Sequence, residues 1–404
     1  MTMNIRIFYF YKLMQNIVPI YPVYLLLFES KGLSLSQISL LLVIWSAPLV
    51  LFEIPSGVLS DHWNRKYMLI IGSVCKALCY TYWLFSDGFL LFAIGFALWG
   101  ISGCFCSGSE EALLYDSLKQ YGQEHEFEKI YGKCNFYSNI GVAISGITGG
   151  FLAMTFGMDL VLVISVISML ICVGFTFRFK EVNFFKRRQH EKQELGLAKS
   201  FSTLYDAVIF CTRNLRLLIV SLMSILVIGI SGILDEYDPL IADRYGLNLA
   251  LVGVWGSTRY ILEAIGGRIA YKLKNIFESF KISDRFYAIF VLCLIAAGLL
   301  GVSGWARSIL VMPLYGLFYL IMASTRILFE DYVQQQIEEQ GRSTVHSLIS
   351  LMDNLFGIAF FGVYSFVLSG VDLHTLLFFT SLYIVFISVV LWIIYIKVNR
   401  RAAS

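Results

Sequence analysis

Twelve stretches of about 20 or more mostly apolar residues, the length a helix needs to cross a bilayer, run through this 404-residue sequence and are closed by charges or by Gly, Asp and Asn turns. They cover residues 5–28, 35–60, 67–86, 89–115, 132–156, 159–180, 216–243, 247–272, 286–304, 308–333, 344–369 and 373–396. In hydrocarbon every backbone polar group needs an internal partner, so spans of this length must be helices. The expected fold class is an all-α membrane protein of twelve transmembrane helices in two pseudo-symmetric six-helix bundles. Composition agrees: 58% of residues are hydrophobic and 15% charged, against about 25% charged in soluble domains. The first run is longer than a signal-peptide core and lacks a small-residue cleavage site, so it is expected to stay as the first helix.

One long polar connection interrupts the pattern and carries Lys186, Arg187, Arg188, Lys192 and Lys199. It divides the chain into an N-terminal bundle (1–180), a linker (181–215) and a C-terminal bundle (216–404). With the N-terminus inside, the six opposite-side turns hold only Lys31, Arg244 and Arg307, while Arg65, Lys66, Lys119, Lys129, Lys133, Lys272, Arg342, Lys397 and the linker cluster fall on the inner side. The positive-inside rule then places both termini in the cytoplasm of a cell membrane. No Asn-x-Ser/Thr acceptor occurs, which suits a bacterial protein.

Several function classes are excluded by what the chain lacks. There is no GxxxxGK[ST] loop, so ATP is not a direct fuel. His125-Glu126 and His190-Glu191 lack the second His of HExxH, and no GxSxG occurs, so an enzyme is not expected. The eight cysteines show no metal-ligand spacing. No cofactor, metal or nucleic acid is expected.

The turn between the second and third spans reads Gly57-Val58-Leu59-Ser60-Asp61-His62-Trp63-Asn64-Arg65-Lys66. Gly57 allows close helix contact, Asp61 offers an acceptor, and Arg65 and Lys66 supply mobile donors. The segment resembles the signature loop of the major facilitator superfamily, G-x-L-A-D-R-x-G-R-K, matching at Gly57, Leu59, Asp61, Arg65 and Lys66. Ser60, His62 and Asn64 depart from it. The resemblance, which in length and topology covers the whole chain, implies the facilitator fold, a monomer, and a latch between the halves on the cytoplasmic side. Glu110, Glu111 and Asp116 close the fourth span beside this loop, where Arg65, Lys66 or Lys119 are the expected partners.

In the fifth span Gly132, Gly141, Gly149 and Gly150 keep the spacing of the superfamily's antiporter motif, with Ser145-Gly146 where Gly-Pro stands. The same residues also read as a small-residue packing face. The antiporter reading implies a drug-efflux-like branch, yet Gly95 to Ser109 of the fourth span lacks the Arg that proton-coupled drug exporters carry there. Gly267 to Lys272 falls where a repeat of the Asp61 loop would lie, with Tyr271 in place of Asp.

Ionisable groups within spans cost about 2.5–3.5 kcal/mol each on the insertion scale and are functional candidates by default. Arg259 and Glu263 are four apart, as are Arg326 and Glu330, so internal pairing is open to both. The seventh span carries Asp235-Glu236-Tyr237-Asp238-Pro239, where proline is expected to break the helix and open a gate. Lys12, Asp235, Glu236, Arg259, Glu263, Arg326 and Glu330 are the candidates for a substrate cavity or proton coupling, with Glu236, Glu263 and Glu330 for the proton itself. Lys76, Asp353 and Glu53 are further intramembrane charges, Glu53 being placed to meet Lys12 or Lys76. The expected function is a secondary transporter, with proton-coupled efflux of a hydrophobic or amphipathic compound ahead of metabolite uptake. A non-transporting sensor on the same fold is the third reading. Partners are a small-molecule substrate, a proton or other coupling ion, and lipid.

Overall fold

The computed structural model describes residues 3–184, 209, 212, 214–279, 285–336 and 342–403. Its helices are α1 (Met3–Asn16), α2 (Tyr24–Ser30), α3 (Leu35–His62), α4 (Arg65–Leu84), α5 (Phe89–Lys119), α6 (Phe127–Phe156), α7 (Met158–Thr176), α8 (Leu215–Met223), α9 (Ile230–Arg244), α10 (Leu249–Ser279), α11 (Arg285–Ala306), α12 (Met312–Gln336), α13 (Arg342–Val367) and α14 (Leu373–Ala403). Ten described helical segments are long and apolar enough to cross a membrane. The other two of the twelve spans are α1 with α2, which is interrupted, and α10, which carries Arg259, Glu263, Arg268 and Lys272.

Two compact units form. The first is Met1–Ser200 with Asn248–Ser257, and the second is Phe201–Leu247 with Thr258–Ser404. Within the first unit the expected continuous span 5–28 is corrected: helix stops at Asn16 and resumes at Tyr24. Pro19 and Pro22 lack N–H groups and disfavour a helical residue before them, so the ladder cannot run through.

A break inside a spanning segment requires other partners for the freed backbone, and here they can be followed one by one. Ile17 N–H donates to the Leu13 carbonyl, Tyr21 to Val18 and Val23 to Ile20, each at 3.0 Å. Val18 N–H donates to Ser145 Oγ at 2.7 Å, and that hydroxyl donates to the Asn16 carbonyl at 2.7 Å. Ile20 N–H donates to Ser165 Oγ at 3.1 Å. Every N–H between residues 17 and 23 therefore has an acceptor, and two of those acceptors come from α6 and α7.

Glycine lets α6 come this close. A Cβ on Gly149 would collide with the Pro19 carbonyl oxygen and stand 2.7 Å from Pro22 Cγ, and one on Gly141 would stand 2.7 Å from the Leu13 carbonyl. Still within the first unit, Gly146 packs on Gly253 and Ser257, and Gly150 on Leu249 and Gly253. Gly132 departs from the expected motif, because a Cβ there meets nothing within 4 Å among the described residues. Gly149→Ala should consequently cost about 1–3 kcal/mol by overpacking against backbone that cannot yield. Gly132→Ala should be neutral or slightly stabilising. Thermal unfolding of the two purified variants in detergent tests this, and equal melting temperatures would refute the packing account.

The seventh span also differs from expectation. Pro239 lies inside α9 without ending it, because a proline removes one ladder bond and its buried neighbours Leu240 and Ile241 hold the helix together. The irregularity sits earlier, in a π turn at Ser224–Ile228 that joins α8 to α9. Asp353 of α13 fills the space beside Gly229, where a Cβ would stand 2.5 Å from its Oδ1. Such turns are frequent at functional sites. At the turn before α14, Arg307 pairs with Asp372 at 3.0 Å. Slight burial pushes the Asp372 carboxyl up, but the Thr375 N–H and hydroxyl and the Arg307 charge outweigh it and hold it below the usual range.

Candidate functional site

Charge inside the second unit is gathered around one residue. Arg259 is 5% exposed, and its Nη1 reaches Asp235 Oδ2 and Glu263 Oε1, both at 2.9 Å. Its Nε lies 3.1 Å from Asp238 Oδ2, close enough for charge pairing, though the alignment is not that of a hydrogen bond. The Glu263 contact follows from i,i+4 spacing along α10, and the two aspartates lie one turn apart on α9.

Asp238 is further held from α12. Tyr315 and Tyr319 donate to its Oδ1 at 2.6 and 2.8 Å, and their hydroxyls lie 3.0 Å apart. Both tyrosines are fully buried, and a buried tyrosine seeks an acceptor for its hydroxyl. The Arg259 guanidinium also lies over the rings of Tyr260 (4.3 Å) and Tyr319 (5.4 Å). Three carboxylates thus share one fixed guanidinium. Arg326 adds its field to Asp235, Glu263 and Asp353.

That places the second-unit candidates. Asp235, Arg259 and Glu263 come together, and Glu236 sits half-buried on the same helix. The expected Arg326–Glu330 pair is corrected: no ion pair joins them among the described residues, and both side chains are exposed. Asp238, Tyr315 and Tyr319 were not singled out by sequence reasoning. The signal for the tyrosines was their i,i+4 spacing on a spanning helix, which puts two hydroxyls on one face.

The first unit holds a second buried ion pair. Lys12 pairs with Glu110, whose other oxygen accepts from Tyr11 Oη at 2.7 Å and from Gln15 Nε2 at 2.8 Å. The expectation that Glu110 would meet Arg65, Lys66 or Lys119 is corrected. So is the placing of Lys12 against Glu53. Glu110 lies about one and two-thirds helical turns before Asp116, which directs it into the bundle toward α1 rather than toward the turn.

Farther along α4, the Lys76 ammonium lies 3.6 Å from the ring centre of Trp99, 5.2 Å from Tyr21 and 5.9 Å from Tyr80. Trp99 belongs to the uncharged stretch Gly95 to Ser109, which thereby receives a cation from the neighbouring helix.

At the end of the unit carrying the Gly57–Lys66 turn, Arg65 meets Asp116 at 2.5 Å and donates to the carbonyls of Ala112 (3.0 Å) and Ser60 (3.3 Å). Glu181 caps α4, accepting from the N–H of Arg65 at 3.1 Å and of Lys66 at 2.8 Å, as an anion at a helix N-terminus should. Asn183 donates to the Trp63 carbonyl at 3.2 Å, and the Phe184 N–H to Asp116 Oδ2 at 3.0 Å. Residues 181–184 are therefore tied to the turn.

Arg65, Glu111 and Asp116 line one cavity of about 350 Å³ with Gly108, Ala112, Tyr115 and Phe127. Glu111 accepts from Tyr131 Oη at 2.6 Å rather than from a cation of the turn. Gly57 was expected to permit close contact, but a Cβ there meets nothing within 4 Å among the described residues. The Asp61 side chain and residues 185–208 lie outside the described residues. Among the described residues no group of His, Cys, Asp and Glu could hold a metal ion.

The sequence matches the family described as the Major Facilitator Superfamily over residues 7–362. No curated protein matches it. Among solved structures the chain is similar to the nucleoside transporter NupG, at 14% identity and a TM-score of 0.74 over 97% of this chain and 98% of that one. It is also similar to the POT family transporter PepTSo, at 11% identity and a TM-score of 0.70 over 98% of each chain. An auto-inhibited POT family peptide transporter gives 10% identity and a TM-score of 0.72 over 98% and 97%. At these identities the likeness speaks for the fold.

Proposed function

The chain belongs to the major facilitator superfamily, and from that premise we propose that it is a proton-coupled exporter of a small amphipathic compound. It works by alternating access of two halves, 1–180 and 216–404, joined through the linker 181–215 and acting as a monomer. The excess of Lys and Arg on one set of turns supports a cytoplasmic-membrane protein with both termini inside. The Arg65–Asp116 pair and the Glu181 cap support a role for the Gly57–Lys66 turn as the cytoplasmic latch.

One observation carries the coupling: Asp235, Asp238 and Glu263 share the single guanidinium of Arg259 inside spanning helices. Such an arrangement can take and release a proton without leaving Arg259 unpaired in either state. Asp238 is the leading proton carrier, because Tyr315 and Tyr319 hold one of its oxygens in place while the other faces Arg259. Efflux is supported by the antiporter-like spacing of Gly141, Gly149 and Gly150 in α6, and an amphipathic cargo by the aromatic rings of Tyr21, Tyr80 and Trp99 gathered in the first unit. A polar organic solute is the second reading, favoured by the buried charge in both units and by the nucleoside and peptide transporters that share the fold.

The test is flux in proteoliposomes under an imposed pH gradient, with a panel of labelled amphipathic dyes, nucleosides and dipeptides. Asp238→Asn is expected to lower gradient-driven flux at least tenfold while leaving exchange of the same solute without a gradient within about threefold. Undiminished gradient-driven flux in Asp235→Asn, Asp238→Asn and Glu263→Gln alike would overturn the coupling assignment.

A further inference from the structure

A cavity of about 330 Å³ lies in the first unit between α6 and α10, lined by Ile147, Thr148, Phe151, Leu152, Ala250 and Val254. Glycines shape it. A Cβ on Gly146 would collide with Ser257 Oγ, one on Gly150 with the Leu249 carbonyl and one on Gly253 with the Gly146 carbonyl, so the two backbones touch along this row. One position farther on in each case, Ile147, Phe151 and Val254 carry large side chains beside that contact, and the small Ala250 does not fill the space among them.

The lining decides what can occupy the hollow. Its one polar side chain, Thr148, donates its hydroxyl to the Ile144 carbonyl of its own helix at 2.6 Å. An enclosed water needs about two to four polar partners, so water has no place here. Left empty, the hollow would forfeit dispersion contacts for every side chain around it. Ile147, Phe151 and Val254 are 59%, 55% and 45% exposed, so the hollow is continuous with the bilayer-facing surface of the two spanning helices. One turn of a helix, about 10 Å across and 5.4 Å long, occupies about 400 Å³, so a helix from a second copy is too thick to enter. A single hydrocarbon chain is thin enough.

Depth identifies the source of that chain. At 1.5 Å per residue, Ile147 to Leu152 lie about 6–14 Å before the end of α6 at Phe156, and Ala250 and Val254 about 2–8 Å after the start of α10 at Leu249. Half a hydrocarbon core is about 15 Å thick, so the hollow falls within one leaflet. Both helix ends lie on the side opposite the turns rich in Lys and Arg.

We propose that this hollow is a binding site for one acyl chain of a phospholipid from the leaflet opposite the Lys- and Arg-rich turns. That chain is held more tightly than the lipids around the rest of the protein. Lipid tails are as apolar as leucine, so hydrophobicity gives no preference among membrane-facing surfaces. Shape gives it: a chain in the hollow is touched by two helices at once, and a chain on a single helix face by one. The site is independent of which solute the protein moves.

The experiment is photolabelling of the full-length protein in phosphatidylcholine vesicles in which a small fraction of the lipid carries a diazirine on one acyl chain. Labelled positions are mapped by mass spectrometry. Labelling is expected to be at least fivefold denser over residues 147–152 and 250–254 than at Leu160, Val163 and Ile167, exposed residues from the same end of the neighbouring span α7. Ala250→Phe fills the hollow and should lower labelling there at least fivefold, with α7 labelled as before. Ala250→Met, whose side chain is flexible, gives the same reading where phenylalanine is too rigid to fit. Thr148→Val keeps the shape and should leave the pattern unchanged. Thermal unfolding shows that each variant is folded.

Equal labelling of the hollow and of α7 would show ordinary surrounding lipid only and overturn the proposal. So would undiminished labelling in the folded Ala250 variants, or a label lost as the protein is crowded in the vesicles, which would make a second copy the occupant. Photolabelling needs neither a gradient nor a solute, so failure here leaves the Asp238 flux test intact, and failure of that test leaves this one standing.

Discussion

Replacing Arg259 by glutamine is expected to destabilise the protein by about 3–5 kcal/mol, the range for breaking a buried ion pair from one side. The cause is what stays behind. Asp235, Asp238 and Glu263 all touch this guanidinium, and without it three carboxylates remain within spanning helices. Thermal unfolding in detergent, followed by size-exclusion profile, should show a large drop in melting temperature. Adding Asp238→Asn to Arg259→Gln should recover part of it, because one uncompensated charge is removed and the amide can still accept from Tyr315 and Tyr319. If the double variant is no more stable than the single, the cluster is not held by this charge balance.

The second large effect belongs to the first unit. Lys12→Met should cost about 3 kcal/mol or more, because Glu110 is 6% exposed and Tyr11 and Gln15 cannot neutralise it. Lys12→Met with Glu110→Gln should return close to wild-type stability, since glutamine accepts the same two donors without charge. A double-mutant cycle on melting temperature separates the pair's coupling from the cost of burial. Strict additivity of the two single effects would refute the pairing as the source of the loss.

These clusters show what the amino-acid order discloses and what it withholds. Spans and fold class are legible because hydrocarbon demands long apolar runs, and Arg259 with Glu263 is legible because helix spacing is local. Asp238 with Tyr315 and Tyr319 is not, since 77 and 81 residues separate the partners. Glu110 misled for the opposite reason. Its nearness in sequence to Asp116 suggested the same partners, but its position on the helix turns it to α1.

The first span misled in a third way. Hydropathy sums side chains over about 20 residues and is blind to two prolines that remove backbone donors. Pro19 and Pro22 were in plain view. The groups that make the break tolerable, Ser145 and Ser165, lie more than 120 residues downstream.

That distance has a consequence for synthesis. The span of α1 and α2 cannot complete its own hydrogen bonding, because Val18 and Ile20 wait for hydroxyls on α6 and α7. Until those helices are made, the amides of Val18 and Ile20 face hydrocarbon bare, or the segment stays near the interface. A chain released after Lys119 should therefore leave this segment open to water-borne thiol reagents at an introduced Ile20→Cys, and one released after Lys180 should shield it. A segment made before α6 and α7 is thus finished only after them.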